Sequence, residues 1–211
     1  MGLEDALRES RAYLTSKIER FGAVPQGVDF NGPEAQSVRF DQLVKIIDSS
    51  RPCEVIDYGC GYGALVGYLR EKEWALTYHG YDELEKMIEV ARRQYGQHPN
   101  VDFTTNEGSL PVCDYLIAGS IFNLKFDATT DAWRDYTVQV LGKMNLLCRR
   151  GFSFDILTSY SDADKMATRP ELYFADPLFY FDYCKRTFAR DVALLHDYGL
   201  YDFTILVRKQ I

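Results

Sequence analysis

An apolar run that ends in an acid and then places glycine at alternate positions, Val55-Ile56-Asp57-Tyr58-Gly59-Cys60-Gly61-Tyr62-Gly63-Ala64, constrains this chain more than any other stretch. The order reads as a buried strand, a tight turn and the start of a helix. Glycine at 59, 61 and 63 lets the backbone turn sharply and approach a ligand with no side chain in the way. A nucleotide-type cofactor is the natural occupant of such a turn. Taken alone, Gly59-x-Gly61-x-x-Ala64 also fits the dinucleotide fingerprint, and Asp82 follows at the spacing of a ribose-binding acid.

Around this turn, strands and helices alternate. Strands are predicted at residues 53–57, 76–81, 101–105, 113–118 and 152–157. Helices are predicted at 64–71, 83–95 and 131–148, the last with Trp133, Tyr136, Val140, Leu141, Met144 and Leu147 on one face. Alternation of this kind implies a doubly wound α/β fold with a parallel sheet. The rhythm breaks later: residues 192–195 and 203–209 are strand-like, and the six or seven residues between them are too few for a parallel crossover, which needs about a dozen. An antiparallel pair is expected there. Pro25, Gly27, Asn31, Gly32 and Pro33 mark the best internal boundary, dividing an N-terminal helical arm and linker (1–33) from the main domain (34–211). Residues 159–180 are expected as a lid-like insertion, since long loops in compact domains usually bind or cover something.

Composition narrows the function classes. At 211 residues and 46% hydrophobic, the chain suits one α/β domain with one active site. An excess of 31 acids over 24 bases gives a net charge of -7, and no run of Lys or Arg tracks a phosphate backbone, which argues against a nucleic-acid partner. No apolar run approaches the roughly 18 residues of a membrane span, and the first twenty residues lack a signal-peptide core, so a cytoplasmic location is expected. Five cysteines without a CxxC pair read as reduced, buried thiols, and no metal site is expected.

Asp57 helps to choose the cofactor. A carboxylate two residues before the first glycine would repel a pyrophosphate and would suit the cationic amino-acid portion of S-adenosylmethionine. Asp57-x-Gly59-x-Gly61-x-Gly63, the acid Asp82 and the terminal hairpin together resemble the class I S-adenosylmethionine-dependent methyltransferases, over residues 34–211. The resemblance implies a Rossmann-like sheet of seven strands, mostly parallel with the last antiparallel. It also implies that Asp57 and the Gly59, Cys60, Gly61 and Gly63 loop hold the methionine part, that Asp82 holds the ribose, and that Tyr81 and Glu83 flank the adenosine. Gly119 and Ser120, after the fourth strand, would line the cofactor beside the substrate. Gln36 and Arg39 would close the methionine end, the guanidinium pairing with a carboxylate.

Methyl transfer is an in-line displacement, so an enzyme can work largely by orienting the nucleophile and excluding water, with a base added for an oxygen acceptor. Three residues are the catalytic candidates. His196 lies in the hairpin connection; Asp176 precedes Pro177, which favours an extended backbone aiming it at a cleft; Tyr160 follows the fifth strand at the sheet edge. His79 reads as packed and His98 as a loop residue. The aromatic stretch 172–183 reads as a lid around a sulfonium and its substrate, as a wall packed on the sheet, or as a homodimer contact. Ser120-Ile-Phe-Asn123 lacks the Asn/Asp-Pro-Pro-aromatic signature of base-methylating enzymes, which favours a small metabolite or glycan acceptor. Two alternatives remain at this stage: an NAD-dependent oxidoreductase, and a non-catalytic S-adenosylmethionine-binding protein.

Overall fold

The computed structural model describes residues 2–210. Seven strands form one sheet in the order β3-β2-β1-β4-β5-β7-β6. The central strand β1 (Cys53–Tyr58) pairs in parallel with β2 (Leu76–Tyr81) on one side and β4 (Cys113–Ala118) on the other. β3 (Val101–Thr104) and β5 (Cys148–Leu157) extend the parallel part. β7 (Asp202–Arg208) then inserts antiparallel between β5 and β6 (Asp191–Leu195). The expected hairpin forms because residues 196–201 are too short to cross the sheet, and Gly199 turns there with φ +72°.

Helices cover both faces. On one face α2 (Pro33–Leu43), α3 (Ala64–Glu71) and α4 (Glu85–Tyr95) bury Leu43, Leu65, Val66, Leu69, Ile88 and Ala91 against Val55, Tyr78 and Leu206. On the other, α5 (Thr130–Leu147) and α7 (Pro177–Thr187) bury Trp133, Val140, Leu141, Met144, Tyr180 and Cys184 against Phe152, Phe154 and Phe203. Strands flanked on two faces are covered on both, which is why β4 and the stretch of β5 from Gly151 to Leu157 are buried almost throughout. Thr129 caps α5 by accepting from the Ala132 amide at 3.2 Å. All five cysteines are unpaired and buried.

Three expected boundaries shift. β5 begins at Cys148 rather than 152, because α5 runs straight into it with no glycine or proline between. α4 begins at Glu85, not 83, since residues 82–84 are held in a turn by the Asp82 side chain. Residues 159–180 are not one loop. They contain α6 (Ala163–Thr168), two isolated β-bridges (Leu124 with Leu172, Thr158 with Ala175) and the start of α7.

The helix α1 (Leu3–Phe21) lies along α4, and Arg11 pairs with Glu83, in the turn just before that helix, at 2.8 Å. Its Ile18 packs with Tyr62 and Met87. Lys17 reaches Asp29 at 2.8 Å and ties the helix to the turn that follows it.

Candidate active site

Beyond the C-terminal ends of β1, β2 and β4 a cavity of about 340 Å³ opens. This is where strand order reverses direction from β1, the position at which open α/β sheets hold ligands. The glycine turn forms its inner edge. Gly59 has φ +83°, and a Cβ there would lie 2.3 Å from Ile121 Cγ2; Gly61 has φ +54°, and a Cβ would lie 2.9 Å from Val28 Cγ1. At Gly59 both the space and the backbone call for glycine, and at Gly61 a side chain would have to displace the Val28 methyl. The amides of Gly59 and Cys60 both donate to the Tyr81 carbonyl, at 2.7 and 2.8 Å, which locks the turn onto β2. Gly63 starts α3 and does not line the cavity.

Two acids stand on this floor. Asp57 is 5% exposed and accepts a 2.5 Å hydrogen bond from the Tyr78 hydroxyl. Burial pushes its carboxyl up to about 7, against the pull of the Tyr78 hydrogen bond and with a smaller push from Asp82. Asp82 accepts from the Gly61 and Leu84 amides, each at 2.9 Å, so it braces the glycine turn as well as facing the cavity. Its carboxyl rises to about 6, again through burial. Glu83, paired with Arg11, also lines the cavity, as do Tyr81 and Tyr58, whose rings sit 4.9 Å apart.

A second charged group lies beyond β4 and was not foreseen. Arg39 lines the cavity, but its guanidinium is already engaged: Nη2 donates to Asp202 at 2.5 Å and Nε lies 3.7 Å from Asp155. The expectation that Arg39 is free to pair with a ligand carboxylate is corrected accordingly. Nor is it on a solvated helix face, because it is 8% exposed and stacks 4.8 Å over Phe30. Gln36 lines the cavity and accepts from the Tyr62 hydroxyl at 3.1 Å. Gly119 and Ser120 both reach the cavity wall, and Ser120 turns back to Asp155 through its amide and its hydroxyl. Lys165, Arg169, Leu172 and Tyr201 line the cavity, as do Leu7, Ser10 and Leu14 of α1, and Leu14 packs in one cluster with Leu172.

None of the three expected catalytic residues lines this cavity, which corrects their placement. Asp176 caps α7, accepting from the Leu178 amide at 2.9 Å in front of Pro177. Tyr160 is 67% exposed and stacks with the exposed His196 at 5.8 Å, at the sheet's end but turned outward. The aromatic stretch divides: Leu172 reaches the cavity, whereas Tyr173 and Tyr180 are buried in the core with their hydroxyls 3.0 Å apart. His79 pairs with Asp102 at 2.6 Å across β2 and β3, and His98 meets Arg70. The missed residues are Tyr78, Asp155, Asp202, Lys165 and Arg169. Asp155 carried a readable signal, being the one acid inside the apolar run Phe152–Leu157.

The floor fits one cofactor chemistry. Among the described residues neither Asp57, which is buried, nor Asp82, which is half-buried, forms an ion pair, and both carboxyls are held above the ordinary carboxylate range, so this end of the cavity is short of positive charge. A dinucleotide would bring a pyrophosphate and add repulsion, whereas S-adenosylmethionine brings an ammonium and a sulfonium that offset the deficit. With the glycine turn and the reversed β7, the site and the sheet together define a class I S-adenosylmethionine-dependent methyltransferase.

Comparison with known proteins agrees. No family model matches the chain. It is 43% identical over 166 residues to the Mycobacterium tuberculosis protein named putative methyltransferase Rv1506c, covering 79% of this chain and 99% of that one. Among solved structures, the N-methyltransferase NodS of Bradyrhizobium japonicum, in complex with S-adenosylhomocysteine, superposes with a TM-score of 0.63 at 13% identity, over 96% of this chain and 99% of its own. Human N-acetylserotonin methyltransferase, in complex with S-adenosylmethionine, gives a TM-score of 0.61 at 16% identity, over 99% of this chain and 66% of its own. The chain belongs to the S-adenosylmethionine-dependent methyltransferases. It is an enzyme, its cofactor is S-adenosylmethionine, and no described helix is long and apolar enough to cross a membrane.

Proposed function

We propose that the enzyme methylates a small polar metabolite or a sugar-like acceptor. The observation that carries this reading is the enclosure of the cavity: Leu7, Ser10 and Leu14 of α1 and Lys165 of α6 all line it, and Leu14 packs with Leu172. A pocket lined by two helices in this way suits a compact substrate better than a strand of nucleic acid, and the net charge of -7 repels a phosphate backbone. In this reading Asp57 and the turn at Gly59, Cys60 and Gly61 take the methionine end. Asp82 and Glu83 take the ribose, with Tyr81 and Tyr58 beside the adenosine. The acceptor lies toward Ser120, Lys165 and Tyr201. The chain's contribution is to orient the acceptor and exclude water while S-adenosylmethionine supplies the methyl group.

Release of S-adenosylhomocysteine, followed across a panel of small hydroxyl, amine and sugar compounds, tests the reading, with RNA, DNA and protein pools alongside. Turnover on a compact acceptor is the expected result. Methylation confined to a macromolecular pool would overturn it.

A further inference from the structure

Asp155 and Asp202 lie on one face of the antiparallel pair β5 and β7. Asp155 stands opposite Thr204 and Asp202 opposite Leu157, so the two acids are diagonal neighbours. Both are fully buried, and between them they have one guanidinium, that of Arg39. Their hydrogen-bond needs are incompletely met: among the described residues Asp202 Oδ1 and Arg39 Nε are buried with no partner. Two carboxylates and one cation away from water leave one uncompensated charge, and the cheap way to remove it is to hold a proton. A purely structural ion pair would not need the second acid.

The cluster also has an outlet. Asp155 does not reach the cavity, but Ser120 does, and the Ser120 hydroxyl lies 3.1 Å from Asp155 Oδ2. Ser120 has φ +58°, a left-handed backbone unusual for serine, fixed by its amide donating to the same carboxylate. Strain of this kind clusters where a side chain must be aimed.

We propose that Ser120 relays a proton from the methyl acceptor to the Asp155–Asp202 pair, and that the acceptor atom is therefore a hydroxyl oxygen. The inference rests on the methyl-transfer reading of this cavity. In the step, which starts from the form with both acids ionised, the acceptor O–H proton passes to Ser120 Oγ while the Ser120 proton moves to Asp155 Oδ2, leaving the pair with the single proton that balances Arg39. The acceptor oxygen forms its bond to the methyl carbon as the C–S bond breaks, and that electron pair stays on sulfur. The proton returns to water once the site opens. An amine acceptor would need no such store, since its neutral form already presents a lone pair.

The groups around the pair are compatible with a proton held near neutrality. Burial and the neighbouring Asp202 raise the Asp155 carboxyl to about 7, while Arg39 on α2 and the Ser120 hydrogen bonds oppose the rise. Asp202 is raised by burial, and opposed by Arg39, by Lys165 on α6 and by His196 in the β6–β7 connection. Tyr198, from the same connection, faces Asp155 and is neutral.

Two measurements test the relay. In the ligand-free protein, the infrared difference between wild type and Asp155→Asn, in which the signals of Asp57 and Asp82 cancel, is expected to show one buried protonated carboxyl that ionises between about pH 6 and 8 and is shifted in frequency in Ser120→Gly. Glycine tolerates the left-handed backbone, so Ser120→Gly removes the hydroxyl without forcing a new fold. At saturating S-adenosylmethionine, Asp155→Asn is expected to lower turnover on a hydroxyl acceptor by about 100-fold, and Ser120→Gly by about tenfold or more with partial recovery as pH rises. Both acids ionised from pH 5 to 9 would overturn the proposal even if no acceptor were in hand. So would wild-type turnover and pH profile in both variants, or a panel that yields only amine acceptors. A wild-type protein that releases no S-adenosylhomocysteine with any acceptor would count against the methyl-transfer reading instead, leaving the infrared result to decide the proton store.

Discussion

Replacing Tyr78 by phenylalanine tests the electrostatics of the cofactor floor with the loss of one oxygen atom. The Tyr78 hydroxyl is fully buried and donates to Asp57 at 2.5 Å. A hydrogen bond to a charged group contributes about 1.5 to 3 kcal/mol, and a pKa shift of one unit corresponds to about 1.4 kcal/mol. The Asp57 carboxyl stands at about 7 in the wild type, because burial outweighs that bond. Removing the bond raises it further, by about one to two units. At pH 7 the ionised fraction then falls from about one half to between about one tenth and one hundredth, and affinity for a cationic cofactor falls with it, by roughly 5- to 50-fold. Raising the pH to 9.5 restores most of the loss, because the carboxyl ionises there in both proteins. Isothermal titration calorimetry with S-adenosylmethionine between pH 6 and 9.5 reads both effects. An unchanged affinity at pH 7, with an unchanged pH profile, would refute the placement of the cofactor's cation at Asp57.

Gly59→Ala places a Cβ 2.3 Å from Ile121 Cγ2 on a backbone with φ +83°, and is expected to cost about 2 to 4 kcal/mol of stability in urea titration. Adding Ile121→Ala should recover only the steric share, so full recovery would remove backbone strain from the account. Arg39→Leu leaves Asp155 and Asp202 buried without a cation, a loss of about 3 to 5 kcal/mol at pH 8 that shrinks at pH 5 as the acids take up protons; melting curves at the two values check the difference. Asp57 and Asp155, at about 7, and Asp82, at about 6, all lie above their ordinary value of 3.8. The folded, ligand-free protein therefore binds more protons than the unfolded chain between about pH 4 and 7, and its stability should fall as pH rises through that window. Chemical denaturation at pH 5 and 8 showing the opposite slope would count against the burial of these acids.

The glycine turn and the acids beside it at the cavity were legible in the sequence because they are local. Strand, glycine turn and helix are consecutive, and Asp82 follows at one βα spacing, so short-range pattern suffices. The hairpin was legible from chain length alone, since six residues cannot cross a sheet. The charged cluster beyond β4 was not, because it is assembled from distant positions: Arg39, Ser120, Asp155 and Asp202 meet only after β7 pairs with β5 in one register. Asp155 stood out as a lone acid in an apolar strand, but nothing nearby says what it meets. Asp176 was misplaced for a different reason. An acid before proline also marks a helix N-cap with proline at the first helical position, and that reading of Asp176-Pro177 is the one realised.

β7 lies inside the sheet, hydrogen-bonded to β5 on one side and β6 on the other. The acids at positions 155 and 202, like the glycine turn at the end of β1, thus belong to the most tightly knit part of the molecule, which opens only when the whole fold does. The outer cavity walls hang on α1 and α6 at the periphery, where Arg11 on Glu83 is a surface ion pair of small worth. Chemistry and choice of substrate are therefore separately heritable in this architecture. Mutations can remodel the walls, exchanging one acceptor for another, while the machinery beneath them is passed on unaltered.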